Sequence, residues 1–144
     1  MAGSPVGQAL GRYYLKAQLD SGANGSIMII LATDAPLSDR NLARLTRRSL
    51  AGLASTGAAL SDGSGDYALA FSTAEGVRRT ARRRSQVTPY VELPNGQMSP
   101  LFEAAIEATE EAIYNSLCMA KTMTGFRGTV PALPLEAVRS LISK

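Results

Sequence analysis

The sequence predicts a mixed α/β domain in which two short core strands flank one helix and a longer helix follows. Three observations carry that expectation. Residues 27–32 form a six-residue apolar run, long enough for a strand buried on both faces and too short for an ordinary helix. Tyr67-Ala68-Leu69-Ala70-Phe71 is a second such run, and both are entered through a loop containing glycine and serine. Apolar residues also recur at helical spacing between the two runs and again after Ser99. Strand, helix, strand in that order lets the two strands share a sheet, with Ser26 and Ser64 at neighbouring ends.

Each element has a local reason. Pro5-Val6-Gly7 reads as a turn and Tyr13-Tyr14-Leu15 as a short strand. Residues 21–25 are small or turn-prone, which predicts an exposed, mobile segment. Thr33-Asp34-Ala35-Pro36 ends the first core strand. Ser38 is placed as a helix N-cap, with Asp39 in the first turn to complement the helix dipole. Leu42, Leu45, Ser49 and Leu53 then form one face. Arg40, Arg44, Arg47 and Arg48 lie largely off it, and Gly52 and Gly57 predict an end near Ser55. Residues 73–89 read as a polar, arginine-rich surface loop. Val91-Glu92-Leu93 reads as extended and Pro94-Asn95-Gly96 as a turn. Ser99 is placed as the cap of the longest helix, with Pro100 at its favoured first position. Phe102, Ile106, Thr109, Ile113, Leu117 and Ala120 keep the helical period, and Gly125 is the expected stop. Cys118 beside that stripe reads as a small buried hydrophobe. Residues 130–134 read as extended and 135–142 as a terminal helix.

Composition narrows the chemistry. The 144 residues suit a single domain with a real core, and their apolar and charged fractions are ordinary for a soluble protein. No apolar run approaches a membrane span and the first residues lack a signal-peptide core, so a cytoplasmic location is the default expectation. One cysteine cannot form an internal disulfide. There is no histidine, which excludes hydrolases whose general base is imidazole and removes the commonest zinc ligand. No cofactor or metal is expected. A hydrolase built from this chain needs an amine, a carboxylate or a hydroxyl network as its base. The net charge of +3 is uneven, since Arg78, Arg79, Arg82, Arg83 and Arg84 cluster. Without interleaved aromatics or a recognisable binding motif, a solvated surface is preferred over a nucleic-acid site.

Two junctions present candidate chemistry. Asn24-Gly25 before a strand is by itself a common turn signal. It also places Ser26 where a loop enters a rigid strand, which suits a serine held beside a strained peptide bond. Gly63-Ser64-Gly65-Asp66 is by itself a tight turn with a local side-chain bond. A third stretch runs from Glu111-Ala112-Ile113-Tyr114-Asn115-Ser116-Leu117 through Met123-Thr124-Gly125 to Val130-Pro131-Ala132-Leu133-Pro134.

In this order the three stretches, the first extending from Gly25 to Leu37 and the second to Thr73, resemble the β-subunit of the beta-peptidyl aminopeptidase and L-aminopeptidase/D-esterase family. The likeness covers nearly everything from Gly25 onward. It implies an N-terminal-nucleophile-like hydrolase and a partial alpha-beta-beta-alpha sandwich. In that family a precursor cuts itself before a serine, which becomes the nucleophile of the new chain. The match puts the cut between Gly25 and Ser26, with a second hydroxyl at Ser64 and an acid at Asp66, where some relatives have glutamate. Glycine on the acyl side leaves room for attack. Cleavage frees an α-amine on Ser26 that titrates not far above neutrality, the base that the missing histidine cannot supply. Asp66 then orients the network or pairs with a substrate ammonium group. Residues 1–25 are read as the end of the family's α region with the cleavage loop, and 26–144 as the β-subunit-like domain. The expected substrate is a short peptide or an amino-acid amide or ester. Because only 25 residues precede Ser26, the expected partner is the missing α region or a second copy. The alternatives are an inactive or partner-dependent fragment and a basic binding module.

Overall fold

The computed structural model describes residues 1–11 and 25–143. The expected strand at Tyr13-Tyr14-Leu15 and most of the mobile segment before Gly25 fall outside these residues. The chain divides into two compact units, one spanning Ser26–Glu110 and the other combining Met1–Gly25 with Glu111–Lys144.

In the first unit, β1 (Met28–Thr33) and β2 (Tyr67–Ser72) pair in parallel, from Met28 opposite Tyr67 to Thr33 opposite Ser72. Parallel neighbours need a crossover, and α1 (Asp39–Ser55) supplies it and packs on β2. One sheet face, with Ile29, Leu31, Ala68 and Ala70, turns inward. Leu31 joins a core of Leu37, Leu45, Met98 and Ala105. The expectation of a strand covered on both sides is corrected here. Met28, Ile30, Tyr67, Leu69 and Phe71 lie on the opposite face, with Met28 73% and Leu69 59% exposed. Their hydrophobicity is what made the run look doubly buried.

Helix α1 ends at Ser55 as expected, and Gly57 follows Thr56 with φ +95°, the left-handed step that glycine takes after a helix. Ser38 occupies the N-cap position with extended backbone, but its hydroxyl donates to Glu92 Oε1 and makes no cap bond. Asn41, fully buried, donates to Glu92 Oε1 at 2.9 Å and to Asn95 Oδ1 at 3.3 Å. Arg40 and Arg44 also donate to Asn95 Oδ1, at 2.9 and 3.1 Å. This polar clamp ties the start of α1 to the approach to the long helix. Arg44 and Arg48 lie over the Phe102 ring, at 5.0 and 4.6 Å from its centroid. Part of the basic stripe is therefore packing surface.

The arginine-rich stretch is more ordered than a polar loop. Val77 is buried in a 3₁₀ turn, Glu75–Val77, and Thr80 Oγ1 caps α2 (Ala81–Arg84) by accepting the Arg83 N–H at 3.3 Å. The Arg83 guanidinium donates to the Glu75 and Gly76 carbonyls at 2.9 and 2.6 Å. Helix α3 (Ser99–Met119) begins one residue before its expected cap, because the Met98 carbonyl accepts the Phe102 N–H at 3.0 Å. It stops at Met119, well before Gly125.

The second unit holds the end of α3, a β-hairpin and two short helical pieces. A helical turn, Val6–Ala9, replaces the expected reverse turn, and Ser4 Oγ donates to the Leu141 carbonyl at 3.0 Å in α4 (Leu135–Ile142). Strands β3 (Met123–Gly125) and β4 (Gly128–Val130) pair antiparallel and are exposed throughout. Cys118 is half-buried, so it is less enclosed than the stripe suggested. Among the described residues, no helix is long and apolar enough to cross a membrane.

Candidate active site

The site follows from the parallel register. Stepping back two residues from the Met28–Tyr67 pair brings Ser26 opposite Gly65. The ladder is still intact there, since the Tyr67 N–H donates to the Ile27 carbonyl at 3.0 Å. The Gly65 N–H then donates to Ser26 Oγ at 3.0 Å. In parallel strands both chains enter the sheet at the same end, so the two loops must meet. Each was identified in the sequence separately, and the crossover length is what makes them neighbours.

Ser64 Oγ donates to Asp66 Oδ1 at 2.7 Å. That bond holds the second hydroxyl against a carboxylate on the two sides of Gly65. Ser64 and Asp66 are half-buried, and Ser26 is exposed. Asp66 is fixed because the next residue, Tyr67, begins β2, and the turn before it is closed by the Ser64 N–H donating to the Ser61 carbonyl at 2.8 Å. Thus Ser26, Ser64 and Asp66 come together around one amide group. Gly25 is exposed, and a side chain added there would meet nothing within 4 Å. Glycine at this position is therefore not demanded by packing within the chain.

One neighbour was missed from the sequence. A side chain on Gly65 would come within 3.4 Å of Tyr67 Cε2 and 3.5 Å of Ser26 Oγ. The signal was available, because side chains alternate along a strand and positions 26 and 28 share a face with 65 and 67. It was hidden because Tyr67 reads as one more apolar strand residue. Among the described residues, no three His, Cys, Asp or Glu side chains cluster as metal ligands.

Comparison with known proteins decides the lineage. The peptidase family S58 profile matches residues 1–131. The chain belongs to peptidase family S58. It is 39% identical to a beta-peptidyl aminopeptidase, BapA, of Sphingosinicella microcystinivorans, over all of this chain and 39% of that protein. It is 37% identical to BapA of Sphingosinicella xenopeptidilytica, over 69% of this chain and 25% of that one. Among solved structures, the L-aminopeptidase D-Ala-esterase/amidase of Ochrobactrum anthropi, a variant of the Ntn hydrolase fold, superposes with a TM-score of 0.82 at 33% identity. That match covers 99% of this chain and 38% of the other. A protein from Pyrococcus horikoshii OT3 superposes at 0.83 and 42% identity, covering 99% and 38%. The S58 chain thus has an Ntn-hydrolase fold, in the α/β class expected. It spans about two fifths of the length of the first of these relatives.

Proposed function

We propose that this S58 chain carries the nucleophile of a self-processing serine aminopeptidase, acting on the N-terminal residue of short peptides, amides or esters. The reading rests on one observation above all: Ser26 Oγ sits on the Gly65 amide beside the Ser64–Asp66 pair. In this mechanism Ser26 Oγ attacks the Gly25 carbonyl carbon. The C–N bond to Ser26 breaks, an ester to Gly25 forms, and the proton passes to the departing nitrogen. Water then hydrolyses that ester, which leaves Ser26 with a free α-amine. In turnover the amine accepts the hydroxyl proton as Oγ attacks the substrate carbonyl and returns it to the leaving amine. Gly65 N–H fixes the direction of an Oγ lone pair, while Asp66 holds the Ser64 hydroxyl in one orientation.

A partner belongs to this proposal. The remaining three fifths of an S58 protein would cover the sheet face that carries Met28, Ile30, Tyr67, Leu69 and Phe71. Support comes from the exposure of these five side chains on one face and from the length of the relatives. The same observation favours a second reading, a partner-dependent chain that is inert alone. A basic binding module has less support, since Arg83 and Arg84 spend their guanidinium groups on backbone carbonyls. Intact mass tests the first reading. The expected result is two fragments separated between Gly25 and Ser26, and a single uncut species for Ser26→Ala. A chain that stays whole with its partner present refutes self-processing.

A further inference from the structure

The pleat of β1 and β2 puts Ser26 on the side of the sheet that is open and apolar. Positions 26, 28 and 30 share that side with 65, 67, 69 and 71. At the Ser26 end the face is not flat. Gly65 has no side chain, and the space a Cβ would take is bounded by the Tyr67 ring at 3.4 Å and Ser26 Oγ at 3.5 Å. The ring therefore folds back along its strand toward the hydroxyl, and the two face each other across a notch. Tyr67 is 66% exposed and Met28, its register partner, 73% exposed. An aromatic ring and a thioether thus border the position where an acyl carbon bonded to Oγ must sit.

We propose that Tyr67 and the notch over Gly65 form the wall that receives the side chain of the substrate's N-terminal residue, and that this wall favours aromatic or large apolar side chains. The proposal rests on the reading of Ser26 as nucleophile. An acyl group on Ser26 Oγ can direct its side chain away from the strand or along the open face. The second choice removes apolar surface from water on both partners, and an aromatic side chain gains an offset contact with the phenol ring. A polar or very small side chain gains neither. Gly65 is essential to the wall because any larger residue would fill the notch between ring and hydroxyl.

The test is an NMR titration of the protein, together with its partner region where that is supplied separately, with phenylalanine amide, leucine amide and alanine amide. The expected order of affinity is phenylalanine, leucine, alanine. Tyr67→Ala should weaken the phenylalanine amide about tenfold and alanine amide less than twofold, and Tyr67→Phe should retain the preference. Gly65→Ala should lose the preference with the sheet intact, since its methyl meets only ordinary contact distances. Equal weakening of all three amides in Tyr67→Ala, no change in that variant, or no binding to the unaltered protein overturns the wall. The same samples report on Ser26 separately through release of free amino acid and the cut before residue 26. Cleavage and turnover with an indifferent Tyr67 would leave the nucleophile standing and remove the wall.

Discussion

At the scale of single residues, the geometry turns on Gly65. Its amide proton is given to Ser26 Oγ, and its neighbours on either side are the bonded pair Ser64 and Asp66. A hydroxyl–carboxylate bond of this kind contributes about 1.5–3 kcal/mol when the acceptor is charged and desolvated, and less at a half-exposed site. Its value to the site is orientation, because without it the Ser64 hydroxyl rotates freely. Ser64→Ala is expected to lower turnover on an amino-acid anilide about 10²–10⁴-fold. The urea midpoint should shift by little, so measuring rate and unfolding on the same sample separates chemistry from folding. Asp66→Glu lengthens the acid by one methylene. It should keep self-cleavage and change the ranking of substrates, which a panel of anilides reads directly.

At the scale of elements, the contact between α1 and α3 depends on a glycine that the sequence reading took for a weak point. A Cβ at Gly52 would lie 2.4 Å from the Ile106 carbonyl oxygen and 2.9 Å from Thr109 Cβ. Backbone cannot rotate aside as a side chain can. Gly52→Ala would gain about 1 kcal/mol of helix propensity. It would lose more by forcing the helices apart, since overpacking costs about 1–3 kcal/mol and a backbone clash lies at the upper end. The net expectation is a lower urea midpoint at unchanged slope. Asn41 poses the complementary case, a buried amide that holds Glu92 and Asn95 in place. Asn41→Ala should cost about 1–3 kcal/mol, because those two partners are exposed and can recover water while the helix start loses its tie. A variant as stable as the parent would show that the clamp is dispensable.

At the scale of the whole molecule, the open sheet face dominates. Five large apolar side chains on one side of two strands form a patch of the kind that marks a docking surface. Ile30→Thr with Leu69→Thr keeps residues that favour strands while removing hydrophobic area. In the chain alone this pair should leave the unfolding free energy within about 0.5 kcal/mol, because the positions are already in water. Binding of a hydrophobic dye should fall, and assembly with the partner region should be lost. A drop of several kcal/mol in the isolated chain would instead mean that the face is covered in solution.

Local chemistry was legible without coordinates. The apolar run before residue 33, the helical periods, the two serine-bearing loops and the absent histidine depend only on neighbours in the chain, and so did the family likeness. What lies far apart in sequence was decided by packing. Asn41 and Asn95 carry no pattern that announces their bond, and Arg83 looked like solvent-facing charge until three carbonyls turned toward it. The hydrophobicity of Ile30 and Leu69 says that they prefer to be covered but not by what, because burial is a property of the assembled surface and not of the residue. The meeting of Ser26 with Gly65 stands between these cases: each loop is written locally, and only a parallel register places one amide under one hydroxyl.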